Sequence, residues 1–167
     1  MSSHTVFGSL NHYAKGGVKL IGAGENPKHY VFSNVFEVAS HAKPYEKIAV
    51  AQNLKYVIEV LRAEGTSTWF AADHDESALV MDGQIEIHLI KPEQRQVAPG
   101  IEGAVRLAGT PAGEEMGWVK ASRGHMVLLP KGSAYQFRAT TTGVILLQTI
   151  KGVETVEKWS SICQTAA

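Results

Sequence analysis

The chain has 167 residues, 44% of them apolar and 19% charged, the composition of a single globular domain rather than of a fibrous or disordered chain. Sixteen basic residues balance sixteen acidic ones, with no basic block and no interleaving of aromatic and basic residues, which argues against a nucleic-acid partner and leaves contact with another subunit open. The N-terminal MSSHTVFGSLNHYAKGG lacks a basic lead, an apolar core and a cleavage-like site, and no apolar run is long enough to span a bilayer, so the expected place is the cytoplasm.

Residues 1–28 are rich in Gly, Ser, Asn and Lys and read as an extended arm with at most one short strand, ahead of a single domain over 29–167. Such an arm has no core of its own and is ordered only against the domain or a partner. From Tyr30 the stretch YVFSNVFEVA is β-branched and aromatic and predicts a strand, ended by the proline of SHAKP. Residues 45–50 and 56–61 predict two more strands. The segment NLKYVIEVLRAEG also fits a helix by the spacing of Leu54, Val57, Ile58 and Leu61, and its β-branched content favours the strand. Residues 79–81, the Asp82-Gly83 pair, and Ile85, Ile87 and Leu89 predict a hairpin, with Glu86 and His88 turned away from the face those three bury.

Residues 91–116 are rich in Pro and Gly and predict a long insertion with a minor hairpin around 105–107. Strands are predicted again over 118–120, 126–129, 135–138 and 143–149. Thr155 is then placed to cap a short C-terminal helix carrying Val156, Trp159 and Cys163 on one side. Cys163 is the only cysteine and reads as a small buried hydrophobe with a free thiol. Many short strands, frequent Gly turns and little helix predict an all-β, antiparallel double-sheet barrel of the jelly-roll type, whose mouth between the sheets is the place for a ligand.

Two stretches carry the chemistry. GHMVLLPKGSAY, from Gly124 to Tyr135, has the glycine and proline spacing of one cupin motif, and Tyr135 stands where that motif has a metal-binding His. In the other, Glu76 precedes Gly83 with the motif's spacing, but counting back puts its two histidines at Trp69 and Ala71 or at Phe70 and Ala72. Three nitrogen ligands are thus replaced, and no metal site or catalytic residue is assigned to this chain. A shifted site built from His74, His88 and His125 is the alternative; His88 faces outward by alternation and His125 adjoins the turn glycine. Trp69, Phe70 and Tyr135 bring large rings toward the mouth, where they fill the core, form a wall for an aromatic ligand or anchor a partner. With Glu76 and His74 they are the pocket or interface candidates, Trp69 foremost because residues 65–68 before it read as an exposed loop. Glu76 with Asp73 or Asp75 is the only nearby carboxylate pair, and nothing in the sequence separates them into an acid and a base.

SSHTVFGSL, HYVFSNVFEVAS, YVIEVLRAEGTS, HDESALVMDGQIEIHL, GHMVLLPKGSAYQF and VEKW closely resemble the small subunit of the two-component hydroquinone 1,2-dioxygenases, in the cupin superfamily. The resemblance spans most of the chain and is weakest over residues 93–115. It implies a cupin double-stranded β-helix, a heterotetramer with a larger cupin subunit, Fe(II) held by that partner, and oxygen-dependent cleavage of hydroquinone to 4-hydroxymuconic semialdehyde. This chain would then support the iron-bearing subunit and line its pocket, with Trp69 as the wall. A stand-alone metal-free cupin that binds a small aromatic ligand is the second reading.

Overall fold

The computed structural model describes residues 8–13, 21–23, 26–30 and 34–159. Among these residues, twelve strands and one short helix run in the order β1 (Ile21–Ala23), β2 (Asn26–Tyr30), α1 (Val35–His41), β3 (Lys47–Asn53), β4 (Tyr56–Thr66), β5 (Phe70–Ala72), β6 (Glu76–Asp82), β7 (Gln84–Pro92), β8 (Ala104–Arg106), β9 (Gly113–Ser122), β10 (Met126–Leu129), β11 (Ala134–Ile150) and β12 (Thr155–Val156). The all-β reading holds, and 56–61 lies within a strand rather than a helix.

β11 organises the barrel. The two strands predicted over 135–138 and 143–149 are one element of 17 residues, bent between Ala139 and Gly143. Its first part pairs with β7 along one edge and with β5 and the end of β4 along the other; its second part pairs with β6 and with the body of β4.

The predicted Asp82-Gly83 hairpin is absent. β6 and β7 do not pair with each other; they lie end to end, both antiparallel to β11, with β10 and β9 on their outer edges. Gly83 has φ +76, and a Cβ on it would stand 2.8 Å from the Cα of Gly143, whose own Cβ would stand 2.4 Å from the Asp82 carbonyl oxygen. The dipeptide therefore bends a nearly continuous strand where β11 also bends, so both strands turn the corner together.

The stretch expected as a strand after Tyr30 contains α1 instead. Asn34 caps it by accepting from the Phe36 amide at 3.0 Å, Glu37 lies in its first turn, and Pro44 follows its end. Phe36, Val38, Ala39 and Ala42 pack on Ile48, Val50, Val60 and Val144, the outer face of β3, β4 and β11. An apolar sheet face in need of cover outweighs the β-propensity of Val35 and Val38. Within the arm there are two short strands rather than one, and Leu10 and Tyr13 pack against the same cluster. Residues 105–107 form no hairpin within the insertion, since β8 pairs with β5. Thr155 is in β12, parallel to β3, and caps no helix; the rest of the predicted C-terminal helix, past Trp159 and including Cys163, lies outside the described residues.

Candidate functional site

Strand alternation decides which side chains enter the barrel. On β4, Val57, Glu59, Leu61 and Ala63 share a buried face, and on β11 Tyr135 and Phe137, then Ile145, Leu147 and Thr149, do the same. The inner cluster includes Leu61, Ala63, Phe70, Tyr135, Phe137, Ile145 and Leu147, which fill one part of the interior. Phe70 and Tyr135 stack with centroids 5.8 Å apart, and Tyr135 meets Phe137 at 5.4 Å.

The remainder of the interior is polar. Glu76, 1% exposed, accepts from the Tyr135 hydroxyl at 2.6 Å through Oε2 and from the Thr149 hydroxyl at 2.6 Å through Oε1. The Lys47 Nζ donates to the Tyr135 oxygen at 3.1 Å and stands 4.5 Å from the centre of the Phe70 ring. On the other side His74 Nε2 lies 2.8 Å from the Thr149 hydroxyl, beside an open groove of about 360 Å³ lined by Tyr56, His74, Asp75, Ser77, Gln148 and Ile150. Glu59 receives the Thr155 hydroxyl at 2.6 Å on Oε1, while its Oε2 has no partner.

Burial raises the Glu59 carboxyl to about 7 against the opposing pull of Lys47. Burial, followed by the neighbouring charge of Glu76, pushes the Tyr135 phenol well above its ordinary value, so it stays a hydrogen-bond donor. Three of the contributors, Lys47, Glu59 and Thr149, carry no motif in the sequence, and Thr155 read there only as a helix cap. The readable signal was a charge on the buried face of an apolar alternation, as at Glu59 between Val57 and Leu61.

Phe70, Tyr135, Glu76 and His74 are therefore brought to one network or its edge, and Trp69 is not. It faces the opposite side from Phe70, packs with Ile90, Ala134 and Leu107, and donates its Nε1–H to the Thr110 hydroxyl at 3.0 Å. The stretch before it is no free loop: Gly65 and Thr66 belong to β4, and Ser67 is buried with its Oγ accepting from the Phe137 amide. Since Phe70 enters the barrel, the motif's two histidine positions are Phe70 and Ala72 rather than Trp69 and Ala71.

These residues do not fit a divalent cation. Both Glu76 oxygens are engaged by hydroxyl donors, an ammonium stands beside Tyr135, and no group of three or more His, Cys, Asp or Glu among the described residues is arranged to hold a metal. The three histidines of the shifted site have separate partners. His74 is on Thr149, His88 lies between Glu86 at 3.2 Å and the Trp118 ring, and His125 Nδ1 accepts from the Ser122 amide at 3.1 Å. Glu86 and His88 do face away from Ile85 and Ile87.

No protein-family model matches the chain, and no curated protein does. Among solved structures it is 51% identical to a chain of the hydroquinone 1,2-dioxygenase PnpCD crystallised with Cd2+ and 4-hydroxybenzonitrile, covering 98% of each chain with a TM-score of 0.85. It is 52% identical to a chain of the hydroquinone 1,2-dioxygenase from Sphingomonas sp. TTNP3 with 4-hydroxybenzoate bound, covering 99% of this chain and 100% of that one, with a TM-score of 0.88. A longer chain in the structure of PnpCD with Fe3+ shares the fold at 10% identity and a TM-score of 0.58, with 88% of this chain matched to 41% of that one. Identity above one half over essentially the whole of both chains is a family relationship, and the chain belongs to the hydroquinone 1,2-dioxygenases.

Proposed function

We propose that this chain is the non-metal small subunit of a two-component, Fe(II)-dependent hydroquinone 1,2-dioxygenase, working in the cytoplasm as a heterotetramer with a larger cupin subunit that holds the iron. The observation that carries this reading is the pairing of a full-length family match with a barrel whose ligand positions hold Phe70, Ala72 and Tyr135 and whose Glu76 is already engaged. The longer, cupin-like chain in structures of the same enzymes supports a larger partner. The reaction is the oxygen-dependent ring cleavage of hydroquinone to 4-hydroxymuconic semialdehyde, and the iron's chemistry belongs to that partner.

Exposed apolar side chains also support an assembled state. Trp118 on β9 and Met126 and Leu128 on β10 are each more than half exposed, as are Leu54 and Tyr56 at the β3–β4 turn. Such surface is costly to leave in water and is covered when subunits associate. Trp69 remains the candidate wall of the shared pocket: it is buried, with its Nε1–H on the Thr110 hydroxyl and its ring packed on Leu107, so it would back that wall from within rather than present a free ring to the partner.

The alternative, a free-standing binder of small aromatic molecules, needs an empty interior, and Phe70, Tyr135 and Phe137 are each at most 1% exposed inside this one. The deciding experiment measures metal content and hydroquinone-dependent oxygen uptake of the purified chain, alone and co-expressed with the larger cupin. An inert lone chain and an iron-bearing, active complex are expected. Stoichiometric iron and turnover in the lone chain would overturn the reading.

A further inference from the structure

The polar part of the barrel holds two carboxylates and one ammonium: Glu59 and Glu76 are each 1% exposed and Lys47 is 2% exposed. The hydrogen bonds treat the two acids differently. Hydroxyl donors converge on both oxygens of Glu76, so each has a partner. Glu59 receives a single donor, from Thr155, and its Oε2 is buried without a partner. An ionised oxygen in that position would be far costlier than a neutral one.

The groups acting on Glu59 come from every side. On β3, Lys47 pairs with Thr155 of β12 and adjoins Ile48, the partner of Val60, which sets it diagonally across from Glu59 on β4. The charges of Lys47, Glu76 on β6 and Glu154 act on Glu59, and Glu59 acts in turn on Tyr135 of β11, Glu154 being itself paired with Arg106 at 2.9 Å. Lys47 is the one attractive charge among them. Its ammonium is committed to the Tyr135 oxygen at 3.1 Å and lies over the Phe70 ring. The phenol oxygen holds the cation, and the charge of Glu59 acts on it without a direct hydrogen bond.

We propose that Glu59 and Lys47 form a proton-operated switch inside the barrel: while Glu59 carries a proton the ammonium stays on Tyr135, and when the proton leaves, the ammonium is drawn toward Glu59. Loss of the proton weakens the clamp on Tyr135, and through it the stacking on Phe70 and the bond to Glu76.

The test is carboxyl-selective NMR of the full chain with labelled glutamate, followed across pH beside the near-ultraviolet circular dichroism of its tyrosines. One glutamate carboxyl is expected to titrate well above the ordinary glutamate range. A change in the tyrosine signal should share its midpoint, and both should disappear in Glu59→Gln. Tyr135→Phe should retain the carboxyl titration and lose the tyrosine change. The proposal fails if every glutamate of the wild-type chain titrates in the ordinary range, or if the high titration survives in Glu59→Gln. It fails equally if the carboxyl titrates high while the tyrosine signal stays flat. The first and last of these outcomes are read on the wild-type chain, so poor folding of a variant leaves the proposal open to refutation.

Discussion

The Tyr135 hydroxyl donates to Glu76 Oε2 at 2.6 Å, joining two positions where a metal cupin has a histidine and a glutamate bound to the same ion. A covalent side chain has taken over the bridging contact between β11 and β6. The glutamate kept its place and changed its partner.

Removing the hydroxyl exposes what it holds. Tyr135→Phe preserves the ring against Phe70 but leaves one Glu76 oxygen and the Lys47 ammonium without their shared partner, both in the interior. Unsatisfied buried groups cost about 1–3 kcal/mol each, more when charged. A loss of about 3 kcal/mol or more is expected, read as a lower urea midpoint with an unchanged slope.

Restoring the motif's histidine is expected not to restore a metal. In Tyr135→His the imidazole would meet the Lys47 ammonium, with Phe70 and Ala72 still at the other two ligand positions. One nitrogen and one carboxylate are too few for tight binding. Equilibrium dialysis with Fe(II) and Mn(II) should show no stoichiometric uptake, and tight binding would mean that Lys47 can leave the site.

Gly143 tests the shared bend. A Cβ there would stand 2.4 Å from the Asp82 carbonyl oxygen and 3.2 Å from Gly83 Cα, both backbone atoms that cannot swing aside. Gly143→Ala should destabilise by about 1–3 kcal/mol or misfold. Gly109→Ala, where nothing lies within 4 Å, should be close to neutral in the same thermal melt.

These residues show how far local patterns reach. The glycines of both motifs, the Glu76 position and the strand at 56–61 were readable because turn geometry and period-two burial are local properties. That Asp82-Gly83 bends one strand path instead of reversing it depends on β11 lying alongside, which no short window contains. α1 was hidden because Val35, Phe36 and Val38 suit a strand equally well, and the face they cover is formed by residues 48 to 144. Trp69 and Phe70 were read together, although adjacent residues on an extended chain point to opposite sides. Lys47 and Glu59 matter through charge placed on a buried face, which no motif spacing marks.

Trp69 separates packing from pocket. Trp69→Ala should cost about 3–5 kcal/mol, since the ring is buried against Ile90, Ala134 and Leu107. Trp69→Phe keeps most of that contact and loses only the bond to Thr110, about 1 kcal/mol. In the assembled dioxygenase, a raised KM for hydroquinone in Trp69→Phe with intact assembly is the expected result of a wall role. Unchanged kinetics in that variant would leave Trp69 as core alone.

Glu59 predicts the pH dependence of stability. Its carboxyl rises from 4.5 to about 7 on folding because burial disfavours the charge. The folded chain therefore holds a proton that the unfolded chain has released, so the stabilisation is fully present below pH 4.5 and is lost as pH rises toward 7. The shift corresponds to ~3 kcal/mol across that window. Glu59→Gln mimics the protonated acid at every pH, and its urea midpoint should lack this decline. At pH 8 it should exceed the wild-type chain by about that amount. An equal decline in both proteins would assign the pH dependence to other groups and leave Glu59 ionised without penalty.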